Sequence, residues 1–492
     1  MDADPTSPRE AADFDHDQNV GKLILSGGAW RVLALGFASL VGIVMTAIVS
    51  REIGPAQFAL FTTAMSLVTI AMTLTDVGLL TLGLREFTAR TGEARERTQR
   101  TLIAVRLVLG VVSSIAIVAF AALKGYPHNL VIGLAVATVG ICGLTLNISY
   151  LVPLQATFKL DVVAALEAGR QTLQAVLMTI AALAFADVGW MMATLLPTGV
   201  IMAVLAAIPA RRLASIVPLF DLSEMRGLLR KVGTFAFVAG IGGTYAFIAQ
   251  VLANSVLTAH QSGMFGLAFR VFVVMLSICL TAAGGAFPLL VAASEAGDTE
   301  RLAYASRRLM QSAVIASVGS AVGIIAGAGF IVKVLGGAEF SDAVPVVAAI
   351  GLALPGSFML VVSSLVLLAD GHFRAMMWAA SIGAFVSIVA TGLLADAFGP
   401  VGAAIGVAIG EFTIAAGYVF KVRRVDPVAL PGLGWVAGVL AIGAVSAAAA
   451  LLPLPSLICA IVGMIVFVGL AAALKLLPPE LVHPVASRLR RA

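Results

Sequence analysis

Long apolar runs fill almost the whole chain, and short polar gaps separate them. About fourteen runs are long enough to cross a bilayer, near 28–49, 58–83, 101–123, 130–153, 163–186, 189–208, 232–255, 264–290, 309–333, 344–369, 375–396, 400–420, 432–452 and 454–476. Each crossing needs roughly 20 apolar residues. In lipid every backbone polar group must be bonded internally, so runs of this length predict helices. A β-barrel would show spans of ~10 residues with strict alternation, which this sequence lacks. The predicted fold class is all-α: a polytopic membrane protein of about 14 transmembrane helices.

The gaps carry a second pattern, because Lys and Arg collect in every other one. With the N-terminal tail placed in the cytoplasm, 23 of the 31 basic residues fall in cytoplasmic segments. The opposite loops hold three, Arg51, Lys124 and Lys333, and five more lie within or at the ends of spans. Cationic loops stay on the cytoplasmic side, so both termini are expected inside. Asp2, Asp4, Glu10, Asp13, Asp15 and Asp17 make the tail acidic. That does not oppose the orientation, since acids contribute little to it. The tail also lacks the basic region and short apolar core of a secretory signal, and it reads as a solvated segment.

Composition narrows the classes. Of 492 residues, 60% are hydrophobic and 12% charged, which excludes a soluble globular protein. The longest polar stretches, about 1–27, 85–100, 209–231 and 291–308, are too short to enclose a core of their own. The net charge of +5 sits in short membrane-flanking loops. There it sets topology and meets anionic headgroups, and no nucleic-acid partner is expected. Arg85, Arg90, Arg95, Arg97 and Arg100 are read this way. Cys142, Cys279 and Cys459 lie in three separate spans without paired spacing, and all five histidines lie in tails or loops. Neither a metal site nor a cofactor is expected.

The outer gaps are very short, about eight residues after the first span, two after the fifth and one after the thirteenth. That disfavours a membrane enzyme with an external site. No nucleotide-binding G-x-x-x-x-G-K-[ST] loop is present, which leaves ATP-driven transport unsupported. The chain is not read as an enzyme. A transporter whose working parts are the helices remains.

An internal repeat organises those helices. Ala59-Leu-Phe61-Thr-Thr-Ala64 follows the first span, and Gly263-Met-Phe265-Gly-Leu-Ala268 follows the seventh. Six spans intervene, so the two halves share orientation and would meet around an axis along the membrane normal. The predicted division is a polar cytoplasmic tail (1–27), an N-terminal six-helix half (28–208), a cytoplasmic linker (209–231) and a C-terminal six-helix half (232–421). Two additional helices (422–476) and a basic cytoplasmic tail (477–492) follow.

Arg51-Glu-Ile-Gly54-Pro55-Ala-Gln-Phe58-Ala-Leu-Phe61 resembles the R-x-L-G-P-x-x-F-G-x-Y turn of bacterial polysaccharide flippases. Asp76-Val-Gly78-Leu79 followed by Arg85 is similar to their D-x-G-L…R. Gly336-Gly-Ala-Glu-Phe340, Leu368-Ala-Asp-Gly371 and Phe398-Gly399-Pro400-Val-Gly402-Ala403-Ala404 with Glu411 follow in the family's order. The resemblance covers about residues 28–424 and is to the polysaccharide-flippase branch of the multidrug/oligosaccharidyl-lipid/polysaccharide exporter superfamily. Ala59 departs from the usual Gly. Where many relatives carry an acid late in span 7, this chain offers Gln250 and Asn254. The resemblance implies an inner-membrane protein moving a polyprenyl-diphosphate-linked oligosaccharide outward, for O-antigen, capsule or exopolysaccharide assembly. Its implied partners are that glycan, membrane lipids, and the polysaccharide polymerase and export machinery.

Ionisable residues at membrane depth are costly, so each is a functional candidate. Arg31, Arg106, Arg170 and Arg270 suit diphosphate oxygens, because a guanidinium forms paired charge-assisted bonds. Arg270 lies beside the second copy of the repeat. Arg31 and Arg106 are near cytoplasmic span ends, where snorkelling competes, and Arg170 is placed to pair with Glu167. Asp76, Glu167 and Glu411 are candidates for ion coupling or for structural salt bridges. A multidrug/cation antiporter of the same superfamily and a flippase for the lipid-linked peptidoglycan precursor are the alternative readings.

Overall fold

The structure is a computed structural model. It describes residues 8–76 and 78–476, with side chains from Gly36 onward except at 231, 232 and 234–239. Every α or 3-10 element in that range is helical, and no strand occurs among the described residues. The N-terminal half holds α1 (Pro8–Asp76), α2 (Leu79–Ala89), α3 (Gly92–Leu123), α4 (His128–Ala156), α5 (Leu160–Phe185), α6 (Val188–Ala193) and α7 (Leu195–Ala210). After the linker come α8 (Leu222–Val256), α9 (Ala259–Gly284), α10 (Phe287–Glu295), α11 (Thr299–Leu335), α12 (Val344–Gly351), α13 (Leu354–Ala369) and α14 (Phe373–Val425). Helices α15 (Leu433–Ala447) and α16 (Ser456–Ala473) close the described chain.

Among the described residues, 9 helices are long and apolar enough to cross a membrane, or up to 10 with one pair bent by 41° counted as a span. That pair interrupts the run at 344–369, where the chain bends between Gly351 and Leu354. Two predicted loops are single-residue breaks instead. The gap at 50–57 is helical except at Gly54 (φ 68, ψ 174), and runs eleven and twelve join through Gly399 (φ 62, ψ −148). Both breaks read Gly-Pro, for one reason: glycine takes the positive φ, and proline suits the first position of the following helix. In α14 the two limbs then pack antiparallel, Gly402 against Leu394, Gly406 against Thr391 and Gly410 against Ser387. Residues 8–27, read as a solvated tail, are helical and continuous with the helix of the first run. The basic tail at 477–492 lies outside the described residues.

The main core spans both halves, with Phe58, Leu134, Met191, Phe265, Phe340, Val347 and Val407 almost fully buried. Helices α15 and α16 pack on α11, joining Val439, Ile442 and Phe467 to Val314, Val318 and Val322. The linker is pinned to α3, where Leu219 N–H donates to the Arg100 carbonyl at 3.0 Å and Arg100 Nε donates to Val217 O at 3.2 Å. Asp221 then caps α8, accepting from the Ser223 and Glu224 amides. The Ser223 hydroxyl and these amides hold its carboxyl below the ordinary range.

Candidate functional site

A cavity of about 400 Å³ is enclosed mainly by α1, α4, α5 and α7, and Arg270 of α9 reaches it from the second half of the chain. Both limbs of α1 line it, through Ala38, Gly42 and Met45 on one and Met65, Thr69 and Met72 on the other. Helix α5 contributes Glu167, Arg170, Gln171 and Gln174, and α9 contributes Arg270 from the other half. In a bundle this apolar, such a polar wall is costly to keep in lipid and is a candidate functional site.

The two cavity arginines differ in company. Arg170 forks onto Glu167, with Nη2 at 2.5 Å and Nε at 3.1 Å from the two carboxylate oxygens. Arg270 donates only to the Thr46 hydroxyl, at 3.3 Å, and has no carboxylate partner among the described residues. The Thr46 hydroxyl in turn donates to Gly42 O at 2.8 Å. Arg270 also borders a second, apolar cavity of about 210 Å³ between α1, α9 and α11, lined by Ile43, Val274, Ile331 and Leu335. Arg270 therefore lines both polar and apolar space, with no carboxylate partner among the described residues.

The other candidates lie elsewhere. Arg106 is 1% exposed, which leaves no room for snorkelling, and its Nη2 meets Asp76 Oδ1 at 2.5 Å. The same carboxylate oxygen accepts from Leu80 N–H at 3.0 Å, across the break before α2. Gly78 makes that break in the left-handed conformation, φ 83. Glu411 is buried on α14 and accepts from the Tyr245 hydroxyl of α8. Arg85 is exposed on α2. The side chain of Arg31 lies outside the described residues.

The turn residues collect at one end of the molecule, where the halves touch. Ser50 Oγ donates to Leu335 O at 2.5 Å, and Arg51 Nη2 donates to Lys333 O and Val334 O at 2.8 and 2.7 Å. Phe58 meets Phe340 edge-on, with ring centroids 5.6 Å apart. The two copies of the repeat face each other: Gly263 abuts Pro55, and Gly266 abuts Thr62. Small residues permit such close helix approach. Near them Ser66 Oγ donates to Gln250 Oε1 at 2.5 Å, and Asn254 Nδ2 donates to Thr63 Oγ1 at 2.6 Å. Gln250 and Asn254 thus join the halves. Gly399 lies beside Gln261, and buried Gly402 closes the α14 hairpin.

Gln171 and Gln174 were not among the sequence candidates. Their signal was available, because polar residues at 167, 170, 171 and 174 mark one face of an otherwise apolar span.

An all-helical, multi-pass membrane protein with a partly polar internal cavity is thereby defined. The chain belongs to the polysaccharide biosynthesis protein family, whose sequence profile matches residues 24–294. No curated protein matches it significantly. Its fold is shared with a structure of the lipid II flippase MurJ in an inward closed conformation, at TM-score 0.75 and 14% identity, covering 92% of this chain and 99% of that one. An inward-facing multidrug resistance MATE family transporter of the MOP superfamily aligns at TM-score 0.61 and 17% identity, over 82% and 98% of the two chains. An outward-facing structure of such a transporter aligns at 0.60 and 18%, over 83% and 96%.

Proposed function

We propose that this protein is a flippase. It moves a polyprenyl-diphosphate-linked oligosaccharide across the bacterial inner membrane for surface polysaccharide assembly, by alternating access. The observation that carries the reading is Arg270, which lines the cavity without a carboxylate partner among the described residues. A diphosphate supplies the missing charge and the oxygen geometry that a guanidinium matches. The apolar cavity on the other side of Arg270 gives the lipid carrier a surface that keeps its tail out of the polar space.

In this reading the chain makes fourteen passes, with both termini cytoplasmic as the basic gaps direct. Residues 28–208 and 232–421 are the two moving halves, and 422–476 is an appendix. The contacts around Gly54, Gly263 and Phe340 close the outer gate. Asp76 and Arg106 form a structural pair. Glu411, buried without a basic partner among the described residues, is the site where a coupling proton or cation is held. Arg31 joins Arg270 in attracting the diphosphate as it arrives from the cytoplasm. No step calls for bond-making chemistry, and the partners are the lipid-linked glycan and the polymerase and export machinery that receive it.

A deletion strain tests the proposal. Loss of surface polysaccharide, with intact lipid-linked repeat units accumulating on the cytoplasmic side, is the expected result. Unchanged polysaccharide with new sensitivity to cationic drugs would overturn it in favour of an antiporter.

A further inference from the structure

We infer that the face of α5 formed by Glu167, Arg170, Gln171 and Gln174 reads the sugar, while Arg270 takes the diphosphate. The inference rests on the flippase reading and divides its cavity into two subsites.

Positions 167, 170, 171 and 174 share one face of a helix. Their side chains are already bonded to one another. Arg170 forks onto both oxygens of Glu167, and its Nη1 reaches Gln174 Oε1 at 3.4 Å. Gln171 Nε2 donates to Glu167 Oε1 at 3.0 Å. This ladder holds one positive and one negative charge, so its net charge is zero. A diphosphate would meet the Glu167 carboxylate as closely as the Arg170 guanidinium and gains little there.

What the ladder does offer is neutral hydrogen bonding. Each glutamine amide has two donors and an acceptor oxygen with two lone pairs. The bonds above do not use the Gln171 oxygen or the Gln174 N–H groups, and both residues line the cavity. Alternating donors and acceptors held in place by their neighbours are what sugar hydroxyls require, since each hydroxyl both gives and accepts. A site built for hydroxyls rejects analogues lacking them, because its own polar groups are then left unpaired. Met45, Met65 and Met72 line the same space and supply adaptable apolar contact for ring C–H faces. The cavity thus separates a recognition surface for the glycan, all on the N-terminal half, from an anion site on the C-terminal half.

Binding to the purified full-length protein in lipid nanodiscs tests this. The probes are undecaprenyl diphosphate alone and the same carrier bearing one glucose, one galactose or one N-acetylglucosamine. At least one sugar is expected to tighten binding tenfold or more over the bare carrier. The double variant Gln171→Ala/Gln174→Ala should remove that gain and leave bare-carrier affinity within about twofold. Glu167→Gln, which releases the charge of Arg170, should tighten the bare carrier at least threefold while weakening the glycosylated one. The gentler pair Gln171→Asn/Gln174→Asn keeps the amides but shortens their reach, and should lose at least threefold of the sugar gain. The inference is overturned if no sugar adds affinity, if the glutamine variants weaken bare and glycosylated carriers equally, or if the asparagine pair keeps the full gain. Should Arg270→Ala leave bare-carrier binding intact while the alanine pair still loses the sugar gain, the diphosphate assignment fails and the sugar face stands.

Discussion

Arg51 donates to the main-chain oxygen of Val334 at 2.7 Å and so ties the first limb of α1 to the end of α11 in the other half. The same nitrogen reaches Lys333 O, and Ser50 takes Leu335 O. Three carbonyls at a helix C-terminus, which have no partners inside the helix, are thereby capped by one side of the junction. A cation at that position also matches the helix dipole. The cap exists only while the halves are closed at this end.

Arg51→Ala should therefore favour opening there. A charge-assisted bond at an exposed site contributes on the order of 1.4 kcal/mol, about tenfold in an equilibrium. Labelling of Thr63→Cys, buried in the closed junction, by a membrane-impermeant maleimide should speed up by about that factor. Arg51→Lys, with a point charge in place of a fork, should fall between. An unchanged labelling rate would remove Arg51 from the gate.

Gly263 presses on the backbone of Pro55, and a Cβ there would overlap the proline carbonyl, which cannot move aside as a side chain can. Gly263→Ala should cost about 1–3 kcal/mol of closure and expose the same cysteine. Gly284→Ala, with nothing within 4 Å of the added carbon, is the matched control and should leave labelling as it was. Equal effects of the two substitutions would contradict the close packing.

Asp76 and Arg106 form a pair in which the arginine is the buried partner. Asp76→Ala leaves a guanidinium 1% exposed without its carboxylate, and because Asp76 itself is 37% exposed the loss should be about 1–3 kcal/mol. Asp76→Ala/Arg106→Leu should recover most of it, because the uncompensated charge is gone. Unfolding of the detergent-solubilised protein measures both. A single variant no less stable than the double would show that the pair does not hold α3 to the end of α1.

Glu411→Gln keeps an acceptor for the Tyr245 hydroxyl but can no longer exchange a proton or hold a cation. Transport in proteoliposomes should lose its response to an imposed proton or sodium gradient, with the unfolding midpoint little changed. A full gradient response in that variant would move coupling elsewhere.

Much of the helical arrangement was legible in the sequence, because lipid allows few alternatives to a helix for each apolar run. The Gly54-Pro55 and Gly399-Pro400 turns were also visible, although their tightness was not: length alone suggested a loop at 50–57, and a single glycine suffices. The bend between Gly351 and Leu354 was legible too, since Pro355 follows it directly and a proline within an apolar run is a potential bend point. Side-chain partners were legible only when close in sequence. Glu167 and Arg170 lie three apart and could be paired in advance, whereas Asp76 and Arg106 are brought together by the packing of α1 on α3. The lack of a carboxylate partner for Arg270 among the described residues has the same origin, since it is a property of neighbours from other helices.

The central claim is that a lipid-linked glycan crosses through the cavity bordered by Arg270. Proteoliposomes carrying the full-length protein and a fluorescent polyprenyl-diphosphate-linked oligosaccharide measure this directly, through the rate at which an external quencher gains the inner-leaflet probe. The unaltered protein should speed crossing well above empty liposomes, and Arg270→Ala should slow it at least tenfold without lowering the unfolding midpoint, as Thr46 is its only hydrogen-bond partner among the described residues. Equal rates for Arg270→Ala and the unaltered protein, or no acceleration over empty liposomes, would contradict the claim.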